Sequence, residues 1–488
     1  MNSQTSNTKQ AAWLGIGSMS SFAIGVISSM ILSRFLPKGD YGTYKQVLYV
    51  YETLLVVFTL GLPRAYSYFL PRININQAKS LIKKISVLFL LMGGVMSILL
   101  FVFADYIGDF LNNPDLSGAI RLFAIVPTLL LPTMGLDGIL ATFKRARLMA
   151  LYNVLSKFVM LIFITSPILL LNMGYKEAII GFVLSSIFSF LLAEFLIYYP
   201  LRKNENERCE ISYNKIFAFS LPLLFASLWG ILQMSADSFF ISRYFGKEIF
   251  AEFANGNMDL PFVSMIVSSC AMVLSPVFSK MSSEKLSPHD DVMPIWKSAF
   301  EKSAMLIYPL VLYSIVYSDI LMTLLYGQQY EVSGTYFSIR TIVCFFNVIA
   351  IGPLLINVGY VNYYSRVQMC SAIAVVILEY ISVITIHSPY AISMIQLICR
   401  VGAIVVYMLF IANYFGVSVR RLLPFKNISK IFVVSLALLV ILKFLTNLIA
   451  LSELYTIVVS FVVYSLLFLF VSRRAGVDYL QLLGLKKS

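Results

Sequence analysis

Ser33-Arg34-Phe35-Leu36-Pro37-Lys38-Gly39-Asp40-Tyr41-Gly42-Thr43-Tyr44 closes the first long apolar run of the chain. A looser copy, Ser242-Arg243-Tyr244-Phe245-Gly246-Lys247-Glu248-Ile249-Phe250-Ala251-Glu252-Phe253, closes the seventh. The offset is 209 residues throughout: Ser33 falls on Ser242, Arg34 on Arg243, Phe35 on Tyr244, Lys38 on Lys247, and Tyr41 and Tyr44 on Phe250 and Phe253. Six apolar runs separate the copies. Six is even, so both halves run the same way, and the repeat is parallel about an axis along the membrane normal.

The membrane itself follows from composition. Of 488 residues, 59% are hydrophobic and only 12% charged, and the mean hydropathy is +0.83. Soluble domains run at about 45–50% apolar and about 25% charged. A globule of this composition lacks the charge to cover its surface, which excludes a soluble enzyme, a disordered chain and a secreted disulfide scaffold. The net charge of +13 reflects Lys and Arg in loops rather than a nucleic-acid surface. Five cysteines, four of them in apolar runs, and two distant histidines, His289 and His387, supply neither a disulfide framework, a metal site nor a hydrolytic triad. No catalytic residues, metal ligands or cofactor are expected.

A helix needs roughly 20 apolar residues to cross a bilayer. Fourteen runs qualify, near 11–33, 41–62, 85–104, 119–143, 150–171, 178–199, 216–242, 250–279, 303–326, 338–358, 368–387, 390–413, 431–449 and 455–472. The first has no small-residue cleavage site and reads as an uncleaved helix. With the N-terminus cytoplasmic, 26 of the 37 Lys and Arg residues fall on the cytoplasmic side, six on the other and five within spans, which orients the chain with both termini inside. The expected architecture is an all-α polytopic membrane protein. Residues 1–200 form an N-lobe of spans one to six, 201–215 a charged linker, 216–413 a C-lobe of spans seven to twelve, and 414–488 two appended spans and a tail.

Two six-helix lobes around a cleft make a transporter architecture. Four sequence elements carry a resemblance: Arg34, Leu36, Tyr41 and Gly42; Phe219-Ser220-Leu221-Pro222-Leu223-Leu224-Phe225-Ala226; Asp237-Ser238-Phe239-Phe240-Ile241-Ser242-Arg243-Tyr244-Phe245-Gly246; and Leu324-Leu325-Tyr326-Gly327-Gln328-Gln329-Tyr330. With these the chain resembles the Wzx-type polysaccharide and O-antigen repeat-unit flippases of the multidrug/oligosaccharidyl-lipid/polysaccharide exporter superfamily, whose fold is MATE-like. Ala251-Glu252-Phe253 departs from the family's Gly-x-Tyr at that place. The resemblance implies transfer of an undecaprenyl-pyrophosphate-linked oligosaccharide from the cytoplasmic to the periplasmic leaflet of the bacterial inner membrane. Its implied partners are that lipid-linked oligosaccharide, membrane lipids, and a polysaccharide polymerase with its chain-length machinery. The chain has no phosphate-binding G-x-x-x-x-G-K-[ST] loop, so an ion gradient is the expected energy source. A multidrug-type cation antiporter would need an acidic cleft. A membrane glycosyltransferase or polymerase would need a large outward loop, and none exceeds about 14 residues.

Ionisable groups inside spans are functional candidates, because burying them in lipid is costly. Matched depths predict two ion pairs, Asp137 with Lys157 and Glu379 with Arg400, each either a lock between helices or a gate. Glu52, near mid-membrane with no matching base in span one, is a candidate ion-coupling site or a hydrogen-bonded carboxyl. Glu252, Asn255 and Asp259 begin span eight at i, i+3 and i+7, which places all three on one helix face. With Asp237 they are candidates for ion coupling or a gate. Arg34, Arg64, Arg243 and Arg340 stand at span ends, where they either snorkel to headgroups or bind the pyrophosphate, which suits arginine's two-pronged donor. Gly17, Ser21, Gly25, Ser29 and Ser33 recur every fourth residue and form a face for close helix packing. Prolines within spans read as kinks or hinges.

The charge asymmetry makes one prediction: reporter fusions after residues 75, 210 and 425 all report cytoplasm. A periplasmic signal at any of them contradicts the fourteen-span topology.

Overall fold

The computed structural model describes residues 7–202, 204–283, 287–348, 351–449, 452–474, 477 and 479, all without a β-strand among them. Twelve helices among the described residues are long and apolar enough to cross a membrane. The chain divides into two compact units, Met1–Ala251 and Glu252–Ser488, and most of the long helix that forms span seven is counted with the first.

In the first unit, span one is Asn7–Phe35, span two Lys38–Phe58, span three Ile75–Val102, span five Ala146–Leu171 and span six Tyr175–Tyr198. The 209-residue repeat reappears in the backbone. Pro37, with φ −54° and ψ 145°, separates spans one and two. The equivalent residue, Gly246, breaks the long helix Tyr213–Gly256 with φ 85° and ψ 173°. One helix break is set by a residue with fixed φ and no N–H, the other by the residue that tolerates positive φ.

Span four is not one helix. It runs as Asp115–Phe123, Val126–Leu130, a 3-10 turn Pro132–Gly135 and Leu136–Thr142. Pro127 and Pro132 each remove a backbone donor. Span three repairs the break: Ser97 Oγ accepts the Thr128 N–H at 3.2 Å and shares a hydrogen bond with Thr128 Oγ1 at 2.8 Å. The backbones come so close here that a Cβ on Gly93 would lie 2.8 Å from the Pro127 carbonyl oxygen. Edge-on contacts of Tyr51 with Phe123 (5.3 Å) and tilted contacts of Phe123 with Phe182 (5.1 Å) bind spans two, four and six together.

In the second unit, span nine is Met293–Val316, span eleven Val361–Thr385, span twelve Pro389–Tyr414, and the last two spans Phe425–Ile449 and Glu453–Arg474. Span ten is broken like span four, into Ser333–Ile342, the 3-10 turn Val343–Phe345 and Ile351–Asn357. Span eight is interrupted too: the long helix ends at Gly256 and a new one starts at Pro261. Pro309 within span nine cannot donate to the Met305 carbonyl, and the Tyr479 hydroxyl takes that place at 2.9 Å. The Pro309 carbonyl accepts the Tyr464 hydroxyl at 3.1 Å, so the last span and the tail satisfy the backbone that this proline frees.

The small-residue face of span one has two uses. A Cβ on Gly17 would lie 2.9 Å from the Ala150 Cα of span five, whereas at Gly25 nothing lies within 4 Å. Gly17→Val is therefore expected to cost about 1–3 kcal/mol through overpacking, read as a lower unfolding temperature of the purified protein. Gly25→Ala is expected to leave that temperature unchanged. Equal losses would show that the face is uniform packing.

Candidate functional site

The broken part of span four forms one wall of a cavity of about 410 Å³ inside the first unit. Spans one, two, five and six supply the other walls. Discontinuous helices at membrane depth are tolerated where they line a cavity, and they mark binding sites in transporters. Two charged side chains line this one, Glu52 from span two and Lys157 from span five. Their charges act on each other, yet no ion pair within 4 Å joins them among the described residues. Lys45, seven residues before Glu52 on span two, is the first of the two cations acting on it, ahead of Lys157. Lys45 Nζ donates to Ser29 Oγ at 3.1 Å.

The remaining walls are rich in hydroxyls. Ser156 donates to the Tyr152 carbonyl at 2.7 Å, Ser185 and Ser186 to the Phe182 carbonyl at 2.8 Å, and Ser189 to the Ser185 carbonyl at 2.9 Å. Each hydroxyl hydrogen is thus used within its own helix, and the oxygen lone pairs are left for the cavity.

The expected pair of Asp137 and Lys157 does not form. Lys157 turns into the cavity toward Glu52, while Asp137 acts on Tyr152. The depth argument treated span four as one regular helix. The break between 124 and 135 alters the depth and phase of everything after it. A second correction concerns Glu252, Asn255 and Asp259. The helix ends at Gly256, so Asp259 leaves the face shared by the other two and lies in the connection to Pro261. There it accepts from Arg340 Nε at 3.1 Å and Nη2 at 2.9 Å. Two groups assigned to different roles are therefore partners. Asn255 is buried, at 1% exposure, and Glu252 faces Tyr336 and Tyr390. Asp237 is buried and accepts from the Ser238 N–H at 2.7 Å. Glu379 is fully buried on span eleven, with Arg400 half-buried on span twelve, which packs against it.

Of the four arginines, Arg34 and Arg64 are exposed. Arg243 donates to the Asp109 carbonyl at 2.8 Å and lies 5.5 Å from the centre of the Phe110 ring. Lys247, one turn on, pairs with Asp115 at 2.5 Å. Beneath them is a buried network: Gln46 Nε2 donates to Ser242 Oγ at 2.8 Å, and Asn113 Nδ2 donates to Thr43 Oγ1 at 3.0 Å and also to Gln46 Oε1.

Sequence reasoning missed Asp319. Its carboxylate receives Lys443 Nζ at 3.0 Å on both oxygens, tying the thirteenth span to the unit. A looser likeness, outside the 209-residue register, was present: Phe103-Ala104-Asp105 answers to Tyr317-Ser318-Asp319, and Asp105 is itself paired, with Arg121. Among the described residues no three His, Cys, Asp or Glu side chains are grouped to hold a metal. The extramembranous turn 287–292 holds His289, whose hydrogen bond, with one from Ser287, keeps the Asp290 carboxyl below the usual carboxylate range.

A second cavity, of about 670 Å³, lies in the second unit against the broken part of span ten. Its lining is apolar, with Phe300, Phe345, Met408, Leu423 and Phe432 among it.

This fold is shared. It superposes on a lipid II flippase MurJ in an inward closed conformation with a TM-score of 0.70, at 15% identity, covering 94% of this chain and 97% of that one. An inward-facing multidrug resistance MATE family transporter of the MOP superfamily gives 0.65 at 13% identity, covering 81% and 94%. A MOP superfamily transporter from Pyrococcus furiosus gives 0.59 at 14% identity, covering 83% and 94%. An uncharacterized membrane protein of Methanocaldococcus jannaschii is 20% identical over 361 residues, 66% of this chain and 67% of that protein. The fold is the one that these solved transporters and this flippase share. The chain belongs to the polysaccharide biosynthesis protein family, whose pattern it matches over residues 8–282.

Proposed function

We propose that this protein flips an undecaprenyl-pyrophosphate-linked oligosaccharide from the cytoplasmic to the periplasmic leaflet of the bacterial inner membrane, with both termini cytoplasmic. Two lobes, 1–200 and 216–413 joined by the linker 201–215, work by alternating access coupled to an ion gradient. The wholly apolar cavity of the second unit carries this reading. About 670 Å³ of apolar wall suits part of a polyprenyl chain and offers no acid to a drug-like cation. The family match supports a saccharide cargo. A polymerase and chain-length machinery would take up the delivered repeat units.

Arg34 and Arg243, equivalent in the repeat, are stations for the pyrophosphate, helped by Arg64 and Arg340. Arg243 uses one of its five donors on the Asp109 carbonyl and keeps the rest for an anion. The buried Glu379 with Arg400, and Asp237, Glu252 and Asn255, act as helix locks or gates.

The test is flipping of a fluorescent polyprenyl-pyrophosphate oligosaccharide in proteoliposomes. Arg34→Ala and Arg243→Ala are expected to slow it at least about tenfold, the loss of one charge-assisted contact, with Lys restoring part. Normal flipping in both variants shows that these arginines only snorkel. Export of organic cations with no movement of the lipid-linked sugar overturns the reading.

A further inference from the structure

The cavity of the first unit has the chemistry of a cation site. It presents one carboxylate, Glu52, and a wall of hydroxyl oxygens whose hydrogens are spent within their own helices. No described side chain donates a hydrogen bond to Glu52, so nothing fixed neutralises it at contact distance. The cation is already part of the chain. Lys157 reaches the same space from span five, and its one recorded polar neighbour is Met160 Sδ at 3.8 Å, a weak acceptor that leaves the ammonium available.

We propose that Lys157 is a resident cation that stands where a metal cation would otherwise neutralise Glu52, so that this cavity exchanges protons and does not bind Na⁺. The inference rests on the ion-coupled reading above and names its ion. With Glu52 ionised, the two lining charges cancel. With Glu52 protonated, the cavity carries a net positive charge from Lys157. That change is a differential interaction able to bias two conformations. A second monovalent cation beside the ammonium is disfavoured by like-charge repulsion.

The groups facing this pair can be named element by element. Span two adds Lys45, Tyr44 and Tyr51, and span five adds Tyr152. Span four adds no titratable group to the lining itself, but its Thr133 lines the cavity with Tyr152, which feels Asp137 one turn beyond. Spans one and six contribute Ser28, Ser29 and the serines of 185–189. Tyr152, Thr133 and Asp137 therefore form the next polar steps from the cavity along span four.

The experiment needs no cargo, so its failure is distinct from failure of the flippase reading. Thermal unfolding of the purified full-length protein is followed against NaCl, with KCl and choline chloride at matched ionic strength. The wild type is expected to show no Na⁺-specific shift. Lys157→Met is expected to gain a saturable Na⁺-specific stabilisation that the double variant Lys157→Met, Glu52→Gln loses. Lys157→Gln serves the same purpose if the Met variant does not fold. A saturable Na⁺-specific shift in the wild type, removed by Glu52→Gln, overturns the proposal. So does a folded Lys157 variant that gains no Na⁺ response.

Discussion

A backbone N–H or C=O left without a partner in hydrocarbon costs several kcal/mol, and this chain interrupts its helices inside the membrane. Where it does so, a neighbouring helix supplies the missing bond. Ser97 satisfies Thr128 at the break in span four. Tyr479 takes the Met305 carbonyl that Pro309 abandons. These repairs fix which helices are neighbours. They also leave space beside each break, because a kinked helix cannot fill the groove that a straight one would. Both cavities border a broken span, four in the first unit and ten in the second.

The two cavities differ in chemistry, and the difference suits a cargo with a charged head and an apolar tail. The first holds Glu52, Lys157 and a serine-rich wall; the second is lined by apolar side chains. Several charges outside the cavities have partners. Asp259 holds Arg340, Asp319 holds Lys443, and Asp115 holds Lys247. These pairs sit at helix ends and connections, where partial exposure keeps each contribution modest. Their main effect is to position the short outward helices Ala104–Phe110 and Ser318–Tyr326 and their neighbours.

The helical membrane fold was legible because composition and run length speak directly to it, and the repeat because Ser33, Arg34 and Lys38 recur as Ser242, Arg243 and Lys247 at one offset. Side-chain partnerships were less legible. Depth counting assumes a constant rise along a regular helix, and it failed where spans four and eight are broken. It therefore assigned Lys157 to Asp137 instead of Glu52, and placed Asp259 on a helix it does not join. Prolines 127, 132 and 261 announced those breaks, but a sequence does not say which neighbour will take the freed backbone groups. Asp319 was overlooked because it sits in the apolar run 303–326, which reads as one span but breaks between Val316 and Ser318.

Entry of water to the chamber of the first unit, beside the break in span four, is what a site built on Glu52 and Lys157 requires. It is tested most directly by thiol labelling in membrane vesicles, with the five native cysteines replaced. Gly25→Cys places its side chain in the chamber, where the structure has room for it. Leu191→Cys, at an outward-facing position that is 61% exposed on span six, reports lipid. The account predicts that a charged, water-soluble thiol reagent modifies Gly25→Cys and spares Leu191→Cys. Equal silence at both positions would contradict it.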